Sequence, residues 1–196
     1  MSWQHSRHWV FDMDGTLTVA VHDFEAIKRA LEIPQSDDIL HHLAALPAAE
    51  AASKHAWLLA HERELAEAAQ PAPGAVALVR ELQARDCRLG ILTRNAHALA
   101  LLTLQAIGLD DCFASADVIG RDEAPPKPDP GGLLHLAGQW QVPTQALVMV
   151  GDYLFDLECA RAAGAHGVLV NLPENPWPAL SSGYAEDCAE LLRQLS

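Results

Sequence analysis

Short apolar runs alternate along this sequence with segments whose apolar residues recur at helical spacing, and this alternation constrains the fold more than any other feature. The runs typical of buried strands are residues 8–11, 88–93, 117–120, 146–150 and 166–170. The segments typical of helices are residues 73–84, 95–107, 130–140, 156–163 and 185–195. Strands that alternate with helices predict an α/β fold, here a Rossmann-like three-layer α/β/α sandwich with a mostly parallel sheet.

One segment interrupts the alternation. Residues 24–70 show no strand pattern, only alanine, leucine, glutamate and histidine at helical spacing. Pro34 and Pro47 divide this segment into about three helices, since proline disrupts a helix interior. We therefore predict a small α-helical cap, residues 21–72, inserted after the first strand into a core domain of residues 1–20 and 73–196. His22 and Asp23 stand at the beginning of this cap, which we expect to select the substrate.

The formal net charge of −13 at pH 7 restricts the partners of the chain. An acidic surface argues against binding nucleic acid or an anionic membrane through a general basic face. No stretch approaches the roughly 18 apolar residues that span a bilayer, and residues 1–10 lack the apolar core of a secretion signal. The four cysteines lie far apart, as reduced thiols do, rather than clustered as in disulfide scaffolds or zinc sites. A cytoplasmic location is expected.

Two carboxylates, Asp12 and Asp14, follow the first predicted strand. In an extended backbone, residues i and i+2 point to the same side, and Gly15 lets the chain turn away sharply. Such a pair suits a divided role, with one carboxylate attacking while the other transfers protons or binds metal. An ordinary turn or a calcium loop is the alternative, although no acidic residue stands at the closing position of an EF-hand loop.

Two further segments favour anion binding. Thr93 closes the second predicted strand and is followed by Arg94 and Asn95. A hydroxyl beside the free N–H groups of a helix start forms an anion site, whereas a simple helix cap, which Asn95 is predicted to provide, is the alternative. Lys127 stands in the proline-rich run 125–130, whose stiff backbone presents the ammonium group. A fixed cation suits neutralisation of a phosphate and its nucleophile; an exposed loop lysine is the alternative.

Asp152 and Asp156 follow the fourth predicted strand. Asp152, at the strand end, is placed to ligate a hard cation such as Mg²⁺, which binds few carboxylates and keeps several waters. Asp156 is expected to face the same site from the first helical turn, and its alternative role is a favourable charge at a helix N-terminus. Ligands bind at the carboxyl ends of the strands in such folds, so these side chains are expected to gather there.

Taken in order, these segments resemble the four motifs of the haloacid dehalogenase superfamily. Residues 11–17 are similar to its first motif, 91–95 to the second, 127–128 to the third and 150–156 to the fourth. The resemblance extends from residue 8 to about residue 170 and puts the helical insertion where this superfamily carries a cap. The phosphoglycolate-phosphatase-like branch is the most similar, although its members usually carry a longer cap.

The resemblance implies a role for each residue. Asp12 would attack phosphorus and form an aspartyl-phosphate, and Asp14 would protonate the leaving oxygen and then activate water. A Mg²⁺ cofactor would be held by the Asp12 side chain, the Asp14 carbonyl and Asp152. The residues expected to hold the phosphate are Thr93, Arg94 through its backbone, and Lys127. Gly15 and Asp156 would support the site.

The expected reaction follows from the acid at Asp14. A leaving alkoxide must be protonated, whereas dehalogenation needs no acid at this place, so Asp14 favours phosphate esters. We therefore predict a Mg²⁺-dependent phosphatase whose partner is a small phosphorylated metabolite. A phosphomutase of the β-phosphoglucomutase type shares all four motifs and is the alternative enzyme. A phosphate-binding module without turnover is the alternative from another class, although a pure binder needs no nucleophile.

Overall fold

The strands of this computed structural model, which describes residues 3–21 and 24–195, form a six-stranded parallel sheet. They are β1 (His8–Phe11), β2 (Arg88–Leu92), β3 (Val118–Ile119), β4 (Leu147–Gly151), β5 (His166–Leu169) and β6 (Gly183–Tyr184). Their order across the sheet is β3-β2-β1-β4-β5-β6, and every neighbouring pair is parallel. The prediction of a mostly parallel sheet is confirmed.

Helices cover both faces of the sheet. They are α1 (Phe24–Ala30), α2 (Ile39–Ala44), α3 (Ala48–Glu67), α4 (Ala75–Ala84), α5 (His97–Ala106), α6 (Gly131–Trp140), α7 (Leu154–Ala163) and α8 (Cys188–Gln194). Trp9 and Phe11 of β1 pack in the core beneath α4, α5 and α8, whereas Val10 packs in the core beneath α6 and α7. A strand buried on both faces has an uninterrupted apolar sequence, which explains the run at residues 8–11. The predicted three-layer sandwich is confirmed.

Helices α1, α2 and α3 form the segment between β1 and β2. Pro34 lies between α1 and α2, and Pro47 immediately precedes α3, so the predicted division into three helices is confirmed. These helices enclose a small apolar cluster of their own, made of Ile27, Leu31, Ile33, Leu43 and Leu58. Helix α3 also packs against α5. His22 and Asp23, predicted to begin the cap, lie outside the described residues.

Several elements differ from the sequence-based prediction, among them two helix starts and one strand. The N-cap of α5 is Ala96, with no side-chain cap hydrogen bond, so the prediction that Asn95 caps this helix is wrong. Helix α8 begins at Cys188, because the Asp187 side chain caps it by accepting a hydrogen bond from the Glu190 N–H. Strand β6 has two residues, too few to give a pattern. Across the described ranges, no helix is both long enough and apolar enough to cross a membrane.

Candidate active site

The carboxyl ends of β1, β2 and β4 meet at one edge of the sheet, because the last residue of β1 pairs with residues near the ends of both neighbours. A cavity of about 570 Å³ lies between this edge and helices α1–α3. Of the predicted site residues, those that line the cavity are Asp12, Asp14, Thr93, Arg94, Lys127, Asp152 and Asp156. The gathering expected from the order of the strands is therefore observed, and it includes residues more than 140 positions apart in the chain (Asp12 and Asp156).

Lys127 bridges two carboxylates in this cavity. Its Nζ donates to Asp12 Oδ1 at 2.5 Å and to Asp156 Oδ1 at 2.7 Å. The side chains of Lys127 and Asp156 are only 4% and 2% exposed, so these ion pairs are screened little by water. Burial alone would lower the pKa of Lys127, but the charges of Asp12 and Asp156 raise it well above its ordinary value. Lys127 therefore carries a permanent positive charge beside Asp12.

Asp156 is fixed on its second oxygen as well. Its Oδ2 accepts a hydrogen bond from the Tyr153 backbone N–H at 3.1 Å, at the start of α7. The two roles weighed for this residue, a partner for the site and a favourable charge at a helix N-terminus, are thus combined in one carboxylate. Burial raises the pKa of Asp156 to about 6, even though Lys127 acts to lower it.

Asp152 lies against the turn that follows β1. The Thr16 hydroxyl donates to Asp152 Oδ1 at 3.0 Å. Gly15 adopts a φ of +83°, and a Cβ atom there would stand 2.4 Å from Asp152 Oδ2. A second close approach occurs at Gly151, where a Cβ atom would stand 2.2 Å from Asp156 Cγ. Both glycines therefore make room for carboxylates. At position 15, glycine is required by this close approach as well as by the turn conformation.

Three carboxylates cluster tightly enough to hold a metal ion. One carboxylate oxygen from each of Asp12, Asp152 and Asp156 lies within 4.8 Å of the others. Burial raises the pKa of Asp152 to about 7, with the charges of Asp12 and Asp156 adding to the effect. Like charges held this close are costly without a cation, and Lys127 supplies one positive charge to a cluster of three carboxylates. A divalent cation with oxygen ligands fits this set of donors.

Asp14 lines the same cavity but makes a different contact. Its Oδ2 accepts a hydrogen bond from Asn95 Nδ2 at 2.6 Å. Thr93, which is buried, accepts a hydrogen bond on its Oγ1 from the Asn95 backbone N–H at 3.2 Å. The turn after β2 therefore connects Asp14 to Thr93, and Asn95, predicted as a helix cap, is the residue through which they are connected.

Two ion pairs connect the edge of the sheet to the helices above it. Arg94 Nη2 lies 2.8 Å from Asp38 Oδ2, at the N-cap of α2. Arg121, in the loop after β3, donates to both carboxylate oxygens of Glu62 on α3, at 3.0 and 3.1 Å. The Arg94 side chain thus binds α2. This contact is compatible with the phosphate-binding role predicted for Arg94, because that role uses only its backbone N–H.

Asn171 is a further polar residue at this edge that the sequence analysis did not identify. It follows β5, and its Nδ2 donates to the carbonyl oxygens of Gly15 at 2.8 Å and Thr16 at 2.9 Å. Its φ is +61°, a left-handed conformation that asparagine tolerates better than most residues. Its position immediately after a predicted strand was the available signal, because the same rule identified Asp12, Thr93 and Asp152.

Comparison with known proteins gives consistent matches. The family model of the haloacid dehalogenase-like hydrolases matches residues 7–164. A haloacid dehalogenase-like hydrolase domain-containing protein of Arabidopsis thaliana is 33% identical over 177 residues, which cover 84% of this chain and 71% of that protein. A phosphoglycolate phosphatase of Rhodospirillum rubrum is 38% identical over 112 residues, which cover 57% of this chain and 46% of that protein.

A solved structure has the same fold. The crystal structure of a predicted phosphoglycolate phosphatase from Haemophilus somnus matches with a TM-score of 0.78 and covers 97% of this chain and 98% of that one. The two sequences are 19% identical, so this similarity concerns the fold.

Proposed function

Because this chain belongs to the haloacid dehalogenase-like hydrolase family, we propose that it is a Mg²⁺-dependent phosphatase that hydrolyses a small phosphomonoester through an aspartyl-phosphate on Asp12. The observation that carries the proposal is the buried contact of Lys127 with Asp12, which holds a permanent cation 2.5 Å from the attacking carboxylate. An aspartate is already ionised at neutral pH and needs no base to activate it. Its difficulty is repulsion from a phosphate dianion, and Lys127 reduces that repulsion.

The proposed residues divide the chemistry into two displacements. An Asp12 oxygen forms a bond to phosphorus while the bond from phosphorus to the leaving oxygen breaks, and Asp14 gives that oxygen its proton. Water then attacks phosphorus, Asp14 takes a proton from it, and the bond between phosphorus and Asp12 breaks to restore the carboxylate. Atoms and protons balance over the two steps, because Asp14 ends protonated as it began.

The phosphate would be held by groups on three loops of the edge. The Thr93 hydroxyl and the backbone N–H of Arg94 donate hydrogen bonds to its oxygens, and Lys127 neutralises its charge. The metal would be held by the Asp12 and Asp152 side chains and the Asp14 backbone carbonyl. Asp156, the third carboxylate of the cluster, supports that site and orients Lys127. When bound, Mg²⁺ supplies positive charge shared between the phosphate and its nucleophile.

We propose further that the chain divides into a core, residues 1–20 and 73–196, and a helical cap, residues 21–72. The cavity wall opposite the carboxylates belongs to that cap and includes Ile27, Ile39 and Leu58. The leaving group of the substrate would lie against this wall, so the cap would select the ester. Phosphoglycolate is the first substrate to test, because a phosphoglycolate phosphatase is among the relatives of this chain.

The test compares phosphate release from a panel of phosphomonoesters, with Mg²⁺ and with a chelator, for the wild type and Asp12→Asn. Asp86→Asn is the matched control, because it makes the same chemical change at an exposed position where asparagine tolerates the φ of +57°. We expect Asp12→Asn to abolish turnover and Asp86→Asn to retain it. Borohydride reduction of protein mixed with substrate should convert Asp12 to homoserine. Turnover in Asp12→Asn, or isomerisation of β-glucose 1-phosphate without phosphate release, would contradict the proposal.

A further inference from the structure

Asn95 contacts both the proposed proton donor, Asp14, and a proposed phosphate-binding residue, Thr93. Its side chain donates to Asp14, and its backbone N–H donates to Thr93. We propose that Asn95 is a positioning residue, which holds the Asp14 carboxylate in the orientation for proton transfer to the leaving oxygen. This inference rests on the proposed phosphatase function and adds to it a residue outside the roles described above.

The orientation of the Asn95 amide follows from the chemistry of its partner. An asparagine side chain carries a donor NH₂ and an acceptor oxygen. An ionised carboxylate accepts hydrogen bonds and donates none. A protonated carboxyl also keeps one oxygen that only accepts, so the NH₂ group can donate to Asp14 Oδ2 at 2.6 Å in either state, and the proton of the acid form then lies on the other oxygen.

Both backbone polar groups of Asn95 form hydrogen bonds, so the position of its Cα, from which the side chain extends, is fixed. The N–H donates to Thr93 Oγ1 at 3.2 Å, and the carbonyl oxygen accepts from the Arg121 N–H at 3.0 Å. The carbonyl oxygen is also packed closely against the loop after β3, because a Cβ atom at Gly120 would stand 2.7 Å from it. A hydrogen bond from a fixed donor restricts the rotation of Asp14 more than one from a mobile side chain.

Restricted rotation acts on the chemical step more than on binding. A general acid must stand within hydrogen-bond reach of the atom that it protonates. A carboxyl group held in that position transfers its proton faster than one that rotates freely. The second displacement is the same for every ester, so the leaving group affects only kcat/KM, which reports the steps up to its loss. Loss of the Asn95 amide should therefore lower kcat/KM for esters with poor leaving groups, which need the proton. The leaving group of an aryl ester such as p-nitrophenyl phosphate is a stable phenolate, which departs without full protonation. Hydrolysis of this ester should therefore be affected less.

The experiment measures kcat and KM for phosphoglycolate, or whichever alkyl phosphate the wild type hydrolyses best, and for p-nitrophenyl phosphate. The variants are Asn95→Ala and Asn95→Asp. Asn95→Asp keeps the shape and removes the donor, and it replaces Asn95→Ala in the comparison if the alanine variant does not fold. We expect kcat/KM to fall about 10- to 100-fold on the alkyl ester and less than about 3-fold on the aryl ester.

A purely structural role predicts a different pattern. His97→Gln is the matched control, because His97 is two residues along, contacts the Val118 carbonyl through Nδ1, and is not among the described residues that line the cavity. Damage to the turn alone should lower kcat/KM by the same factor for both substrates, as we expect for this control. Equal losses of kcat/KM on the two esters in the Asn95 variants would therefore overturn the proposal.

A double variant tests whether Asn95 acts through Asp14 or independently of it. If Asn95 acts through Asp14, Asn95→Ala should cause no further loss of kcat/KM for the alkyl ester in an Asp14→Asn background. Additive losses would also overturn the inference. The outcomes for the phosphatase function are distinct: a wild type without metal-dependent turnover of either ester contradicts that function, and the inference with it. An active wild type whose Asn95 variants show unselective or additive losses contradicts the inference alone.

Discussion

The ammonium group of Lys127 lies between Asp12 and Asp156, with only 4% of its side chain exposed. Replacing Lys127 with methionine keeps a side chain of similar volume. It removes the only cation that these carboxylates contact among the described residues. We expect Lys127→Met to lower kcat/KM about 100- to 1,000-fold, since one fixed charge at the reacting group is lost. We also expect its free energy of unfolding without metal to fall by about 3 kcal/mol at neutral pH, because buried charges lose their partner.

Lys54→Met is the control for this substitution. Lys54 also has a largely covered side chain, and its Nζ donates to the Leu31 carbonyl within the helical segment, outside the cavity. Turnover should survive in this variant, and denaturant unfolding should show whether stability changes. If Lys127→Met retained turnover comparable to that of Lys54→Met, the proposed role of Lys127 would be wrong.

Arg121 and Glu62 form the more buried of the two ion pairs that connect the helices to the edge of the sheet, with side chains 17% and 12% exposed. A double-mutant cycle with Arg121→Gln and Glu62→Gln should give a coupling energy of about 1–3 kcal/mol from urea unfolding. The pair of Arg29 and Glu25 on α1, 63% and 79% exposed, is the reference. Its coupling should be below about 0.5 kcal/mol. Equal couplings would show that the buried pair adds no stability.

The carboxylate cluster should make metal binding depend on pH. The pKa of Asp152 is raised to about 7 and that of Asp156 to about 6, both above the ordinary value of 3.8. Without metal, the folded protein therefore binds protons that the unfolded chain has released, so these groups favour folding below about pH 4 and lose that contribution as the pH rises towards 7. Mg²⁺ bound as proposed would compete with the same protons. The rise in Tm on adding Mg²⁺ should consequently be larger at about pH 8 than at about pH 5.

Asp152→Asn removes the most strongly shifted of these groups. In thermal unfolding at a series of pH values, this variant should lose most of the pH dependence of the Mg²⁺ effect. A Tm increment that is the same at both pH values in the wild type would contradict the assignment of Asp152 to the metal.

Asn171 supports the turn after β1 through two hydrogen bonds and does so from a left-handed conformation. Asn171→Ala loses both bonds and retains an unfavourable φ, so its free energy of unfolding should fall by about 2–4 kcal/mol. Asn171→Gly loses the same bonds without the conformational cost and should be more stable than the alanine variant by about 1 kcal/mol. Denaturant titration of both proteins measures the difference. Equal stabilities would mean that the φ of +61° carries no strain.

The order of strands and helices could be predicted because each element has its own local pattern. Trp9, Val10 and Phe11 are all buried and therefore form a continuous apolar run, whereas the two residues of β6 give no pattern at all. The haloacid dehalogenase-like family could be predicted for a similar reason, since each motif is a short run at a strand end, and the prediction is confirmed.

Contacts between distant segments could not be predicted in this way. Asn95 resembles a helix cap when only its neighbours are considered, and its contact with Asp14, 81 residues away, depends on how β1 and β2 pair. The pairing of Arg121 with Glu62 depends in the same way on where α3 packs. The assignments of Asp12, Asp14, Thr93, Arg94, Lys127, Asp152 and Asp156 to their chemical roles remain predictions, although all of these residues line one cavity.

Gly15 and Gly151 leave room that two aspartates, Asp152 and Asp156, already fill. Every other amino acid places a carbon atom in that space, so any substitution at either position must displace a carboxylate. Among relatives of this protein, we therefore expect each glycine and the aspartate against it to be retained or lost together. A lineage that lost either glycine should also have lost the acidic cluster, and with it the chemistry proposed for the cavity.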